Sequence, residues 1–167
     1  GENLASAVMG KYKISPELAT KVVKLALKHE KPTFPKAEDI LSVIGVESAF
    51  QPHAVSQLKH DPAVGLMQVR PGIFGLDKAK FKADIDAQVK TGAELLHKLY
   101  DRLKSKNGAL QAYNVGIGNY LKKKGLNPIP EVMIPLVGLI GELEICFEYT
   151  NRVAKEVMAA KKVEVEY

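Results

Sequence analysis

The sequence predicts a mainly α-helical protein organised as one domain. Three observations carry that reading. Apolar residues recur at i, i+3, i+4 and i+7 in separate segments, the period of a helix with one face turned inward. Helix-starting and helix-stopping residues bracket those segments. Strand-type alternation is missing except at the tail, Val163 to Tyr167. The 167 residues suit a single core. At 46% hydrophobic and 26% charged, the composition is that of a folded globular chain rather than a disordered one. No internal repeat, low-complexity stretch or linker divides the sequence, so one domain over residues 1–167 is expected.

Ser15, Pro16 and Glu17 together start the first expected helix: a capping hydroxyl, a proline in the first turn and an acid at the positive end of the dipole. It runs to about His29 with Leu18, Val22, Val23 and Leu25 inward, and Pro32 and Pro35 open a loop. A second helix begins near Lys36 and turns Ile40, Val43, Ile44 and Glu47 to one side. Residues from about Gln51 to Gly75 read as a long loop with short helical pieces, punctuated by Pro52, Pro62, Gly65, Pro71, Gly72 and Gly75. A loop of that length inside a compact domain is more often functional than idle. The clearest helix spans about Asp84 to Lys104, with Ile85, Val89, Gly92, Leu96, Leu99 and Leu103 on one stripe and Asn107 and Gly108 as its stop. A short helix, Ala109 to Tyr113, a glycine-rich turn, Val115 to Asn119, and one or two helices from Gly125 to about Ala160 complete the expected order.

Composition removes several classes of function. The single cysteine, Cys146, lies in an apolar stretch, so an intramolecular disulfide and a cysteine zinc site are excluded. His29, His53, His60 and His97 are dispersed without an H-x-x-x-H pair, and neither a metal site nor any cofactor is expected. The net charge of +5 favours a polyanionic partner. No aromatic stacking platform or reader motif accompanies it, so nucleic acid is not the expected one. The longest apolar stretch, Val132 to Gly141, is about half a bilayer span and contains Pro135. No membrane span or secretory signal is expected, and export to a wall would then rest on something outside this sequence.

Glu47 is the most informative local conflict. The pattern of the second helix calls for an apolar residue there and the chain supplies a carboxylic acid. Half-buried, such an acid resists ionising and is held ready to give a proton to a leaving oxygen. From helix position alone, a side chain that bends out to solvent or pairs with a nearby lysine fits better. The neighbouring sequence reverses that preference.

Glu47-Ser48-Ala49-Phe50-Gln51-Pro52-His53-Ala54-Val55-Ser56 is followed by Gly65-Leu66-Met67-Gln68 and then by Ala112-Tyr113-Asn114-Val115-Gly116. These blocks resemble the soluble lytic transglycosylases, a lysozyme-like family of peptidoglycan-cleaving enzymes, whose signature reads E-S-x-F-x-P-x-A-V-S, G-L-M-Q and A-Y-N-x-G. The resemblance covers roughly residues 40–125 and includes Gly92 and Leu96 on the intervening helix. It implies a lysozyme-like fold with an extended cleft. It implies Glu47 as catalytic acid/base, Ser56 holding a sugar N-acetyl group, and Met67 and Gln68 on the cleft floor. Tyr113 and Asn114 would flank the glutamate and contact the sugar, although a core aromatic with a bonded hydroxyl fits Tyr113 equally well. Gly65, Gly116 and Gly118 would shape turns.

Two departures accompany the resemblance. The stretch from Ser56 to Gly65 is longer than usual and contains Lys59, His60 and Asp61. The family's closing E-T-R-x-Y-V pattern is only approximated by Glu148-Tyr149-Thr150-Asn151-Arg152-Val153, which makes Tyr149 a further candidate substrate contact.

What the family resemblance implies is cleavage of the bond between N-acetylmuramic acid and N-acetylglucosamine with a 1,6-anhydro product, by one monomeric chain and without a cofactor. The partner is the peptidoglycan strand, reached from the periplasmic or outer side or by phage delivery, as by an endolysin or another bacteriolytic glycosidase. Two alternatives are kept. In a goose-type-like lysozyme the same bond is hydrolysed, with Asp61 holding the water, although Asp61 reads more readily as a solvent-facing turn residue before Pro62. A non-catalytic peptidoglycan-binding virion domain would keep the fold alone.

Overall fold

A computed structural model of the chain describes residues 2–123. The expected helices after Gly125, the Val163–Tyr167 strand, Val132 to Gly141, Cys146 and Tyr149 all lie outside the described residues. Among the described residues seven α-helices follow in order: α1 (Glu2–Lys11), α2 (Pro16–His29), α3 (Ala37–Ser48), α4 (Lys78–Ala83), α5 (Ile85–Leu103), α6 (Lys106–Val115) and α7 (Ile117–Lys123). A long loop with one 3₁₀ turn, Pro71–Phe74, joins α3 to α4. Among the described residues the only sheet-like pairing is two isolated antiparallel bridges, Val55 with Val64 and Val64 with Val69. None of the described helices is long and apolar enough to cross a membrane.

The helix ends are set by local chemistry. Ser15 Oγ accepts from Leu18 N at 3.1 Å, as expected of an N-cap. At the start of α3, Asp39 accepts from Lys36 N at 2.8 Å and Glu30 from Ala37 N at 3.1 Å, so two orphan donors are satisfied by carboxylates. Asp84 Oδ1 accepts from Ala87 N to start α5. That helix ends on Lys104 in the left-handed region (φ 54°), and Ser105 at once caps α6 through Gly108 N at 3.0 Å.

These caps correct the sequence reading in two places. Asn107 and Gly108 do not stop α5; they lie inside α6, because Ser105 restarts the helix two residues earlier. The glycine-rich turn Val115 to Asn119 contracts to Gly116 alone (φ 85°), and Gly118 falls within α7. Helices α1 and α4 were not anticipated at all.

The core forms around α5, which packs against α2, α3, α4 and α6. Val22, Val23 and Ala26 of α2, Ile40, Val43 and Ile44 of α3, and Val89, Ala93 and Leu96 of α5 are all buried in it. Each large aliphatic side chain sequestered in this way stabilises the fold by about 1.5–3 kcal/mol. On the rim, Asp86 of α5 receives Lys28 Nζ at 2.7 Å and His29 Nε2 at 2.5 Å from α2. α1 packs on α2, and Tyr12 just beyond it reaches α3: its ring meets Phe50 at 4.8 Å between centroids, and a Cβ on Gly45 would overlap its hydroxyl.

Candidate active site

Glu47 is the penultimate residue of α3 and half-buried, with Oε2 fully enclosed. The three aliphatic residues that share its face have no exposed surface, so the helix is fixed by burial up to the last turn before the carboxyl group. Ala49 (φ 50°) and Phe50 (φ 64°) then turn the chain sharply through the left-handed region, a strained path for residues with side chains. Fully buried Phe50 anchors that turn.

The Gly65–Gln68 segment forms a tight turn pinned on every side. Val64 N donates to Val69 O at 2.9 Å, Gly65 N to Ala54 O at 2.8 Å, and Gln68 N to Gly65 O at 3.2 Å. The Gln68 side chain repeats the pattern: Nε2 donates to Gly65 O at 2.9 Å and Ala54 O at 3.1 Å. Gly65 adopts φ +84°, and a Cβ there would overlap Gln88. Gln88 is the hub of this arrangement. Fully buried, it accepts from Leu66 N at 2.9 Å and donates to Pro52 O, Phe81 O and Lys82 O.

α6 brings Tyr113 to the same turn. Its hydroxyl donates to Met67 O at 2.5 Å, and the ring has no exposed surface. Burial raises the hydroxyl well above its ordinary pKa, and the negative charge of Glu47 raises it further. The Tyr113–Met67 hydrogen bond brings the second and third sequence blocks together. Asn114, next on α6, is completely buried, and among the described residues neither its Nδ2 nor its Oδ1 has a hydrogen-bond partner. An amide enclosed without partners costs about 1–3 kcal/mol per unsatisfied group and calls for an explanation beyond packing.

Several expected contacts take a different form. Met67, expected on a cleft floor, is a core residue whose side chain fills the space under Gly92, where a Cβ would overlap its sulfur. Gln68 is only 6% exposed, and its amide N–H groups are committed to backbone carbonyls. Tyr113 is the core aromatic with a bonded hydroxyl, one of its two sequence readings. Ser56 is half-buried; its N donates to Ala63 O at 2.9 Å and its Oγ accepts from Ala63 N at 2.8 Å, so it closes the following loop. Asp61, ahead of Pro62, keeps a quarter of its side chain exposed. Its carboxylate accepts from Gly72 N at 2.6 Å and Ile73 N at 3.1 Å, capping the 3₁₀ turn. Tyr149 lies outside the described residues.

Sequence reasoning missed Gln88 and Arg70. Gln88 carried the same signal as Glu47, a polar residue at helical spacing from Ile85 and Gly92 on an apolar stripe. Arg70 carried none, because a charged residue in a loop is unremarkable until its burial is known.

The helical frame thus brings a half-buried glutamate at the end of α3 and a buried tyrosine on α6 to the region of one tight polar turn. A family model for the transglycosylase SLT domain matches residues 27–131, more than half of the chain. No curated protein and no solved structure matches it. The chain belongs to the SLT transglycosylase domain family, with its all-helical lysozyme-like fold. Peptidoglycan is its substrate and transglycosylase-type cleavage of the cell wall its class of activity.

Proposed function

We propose that the protein is a lytic transglycosylase that cleaves the β-1,4 bond between N-acetylmuramic acid and N-acetylglucosamine, with Glu47 as its sole general acid/base. The observation that carries this reading is the half-buried Glu47 at the end of the buried face of α3, its Oε2 enclosed, inside the stretch matched by the transglycosylase family. Protonated Glu47 gives its proton to the glycosidic oxygen, and the C1–O bond breaks toward a cation-like centre. The muramic acid N-acetyl carbonyl shields that centre. Ionised Glu47 then takes the proton of the muramic 6-hydroxyl, whose oxygen closes on C1. A 1,6-anhydro ring forms, the glutamate regains its proton and no water is consumed. Internal closure draws on the high effective molarity of a tethered nucleophile.

In this reading Tyr113 positions the Glu47 carboxyl from beneath, and Asn114 contributes an amide with unspent hydrogen bonds beside it. Ser56 and Gln68 border the sugar site from the loop, and the cleft runs along the Glu47 end of α3. The hydrolytic alternative needs a second carboxylate to hold water. Asp61 suits that role poorly, since both of its oxygens accept backbone N–H groups. Mass spectrometry of muropeptides released by the purified chain tests the proposal. Anhydro-muramic ends support it, and reducing ends would replace it with hydrolysis. A Glu47→Gln variant with undiminished release would overturn the role of Glu47.

A further inference from the structure

The lengthened stretch between Ser56 and Ala63 is closed at its base and tied down at its far end. The base is the Ser56 N to Ala63 O backbone bond, with Ala63 N donating in return to Ser56 Oγ. The far end is held by Arg70, a guanidinium only 4% exposed. Its Nε donates to Asp61 O at 2.6 Å and its Nη2 to His60 O at 3.0 Å, while Asp61 Oδ2 lies 3.8 Å from Nε as counter-charge. Nη1 is enclosed without an acceptor among the described residues, so this cation stays buried at a cost in unsatisfied hydrogen bonding. Asp61 takes φ +46° to direct its carboxylate onto Gly72 N and Ile73 N.

This geometry sorts the loop's charges. The one acidic group is turned inward and consumed by backbone donors and Arg70. Lys59 and His60, with Gln57, remain exposed. The loop is also rooted at the site. Val64, next to Ala63, bridges to Val55 and Val69, and one residue before Gln68 is Met67, whose carbonyl holds Tyr113. An outward-cationic loop, tied at its base and far end, is therefore rooted in the same turn that accepts the Tyr113 hydroxyl.

We propose that residues 57–60 form a recognition loop for the carboxylate-bearing peptide stem of the glycan, with Arg70 and Asp61 as its positioning residues. The inference rests on the glycan-cleaving reading above and names which part of that substrate the loop reads. A stem carries free carboxylates at its branch points and terminus. A lysine ammonium and an imidazole N–H on a fixed backbone suit such groups, whereas a neutral sugar face needs no cation. Arg70 acts only through the loop and does not touch substrate.

The first test is binding, independent of cleavage. A soluble stem peptide rich in free carboxylates, titrated into the full chain, shifts the backbone amide NMR signals of residues 57–61, and Lys59→Ala/His60→Ala removes those shifts. Absence of any shift at 57–61 in the parent overturns the proposal. The second test compares stem-bearing peptidoglycan with the same strands stripped of stems by an amidase. In the double variant the ratio of kcat/KM values, stem-bearing over stripped, falls about fivefold, the size expected for two exposed charge contacts. The fall lies in KM and vanishes in about 1 M salt, where the screening length is about 3 Å. An unchanged ratio at low salt also overturns the proposal. Peptide shifts at 57–61 with cleavage of neither substrate would instead defeat the glycan-cleaving reading and leave the loop assignment standing.

Arg70→Lys separates positioning from packing. It retains a cation but loses the two-direction fork. The expected result is faster hydrogen exchange at 57–62 and the same fall in ratio, with the pH profile of kcat unmoved. Exchange at 57–62 that stays at the parental rate overturns the positioning role.

Discussion

The frame of α2, α3 and α5 and the loop between α3 and α4 are held together by different physics. The frame is apolar burial at helical spacing: Val22, Ile40, Ile44, Val89 and Leu96 have no exposed surface and need no directional partner. The loop is held by Gln88, which reaches into it from α5, and by its own Gln68, Ser56, Asp61 and Arg70, each of which satisfies backbone groups that regular structure leaves open. Burial tolerates volume-conserving exchange, whereas a hydrogen-bonded hub does not, because removing one partner strands the others. The site sits at the join. Its glutamate comes from the frame and its surroundings from the loop, so the two regions can be perturbed separately.

The sharpest separation is Glu47→Gln, which keeps shape and removes the acid. Peptidoglycan cleavage, followed by muropeptide release, is expected to fall about 10²–10⁴-fold with the thermal midpoint essentially unchanged. Gln88→Leu probes the loop's hub. Leu66 N and three carbonyls lose their buried partner, and urea unfolding is expected to show a loss of about 2–4 kcal/mol. An equal loss on Val89→Ala alone, with Gln88→Leu neutral, would erase the contrast between the regions. Tyr113→Phe strands only Met67 O and is expected to cost about 1–2 kcal/mol, together with a measurable drop in kcat as the support under Glu47 loosens.

The smallest effect belongs to the rim of the frame. Lys28 and His29 hold the Asp86 carboxyl below its usual range. A native pKa depressed below the unfolded value of about 3.9 gives stability that is fully present above about pH 4 and fades as pH falls through the depressed value. The Asp86 side chain is 42% exposed, so solvent screens the pair, and the contribution is about 0.5 kcal/mol or less. Asp86→Asn should flatten the acid limb of the stability curve by that amount, measured by urea unfolding from pH 6 to pH 2.5.

The same division explains what could be read from sequence. α2, α3 and α5 were legible because periodic burial leaves a periodic record, and Glu47 stood out as a break in it. α1 and α4 were not: α1 lacks a clear apolar stripe, and α4 is a six-residue helix started by Asp77. In the loop, Gly65 was legible as a turn residue. The direction of Asp61, the burial of Arg70 and the commitment of the Gln68 amide depend on contacts across 9–22 residues of sequence or on local dihedrals, neither of which leaves a periodic trace. The family resemblance implied that Gln68 and Met67 line a cleft floor; in the structure both are buried within the turn.

The Tyr12 hydroxyl over Gly45 and the Tyr12 ring on Phe50 carry a practical consequence. The family match opens at residue 27, part-way through α2. A chain trimmed to that boundary would lose the lid over the back of the glutamate's helix and leave Gly45 and Phe50 wetted. The autonomous folding unit is therefore wider than the homologous segment, and an expression trial that respects the latter should yield insoluble or inactive material.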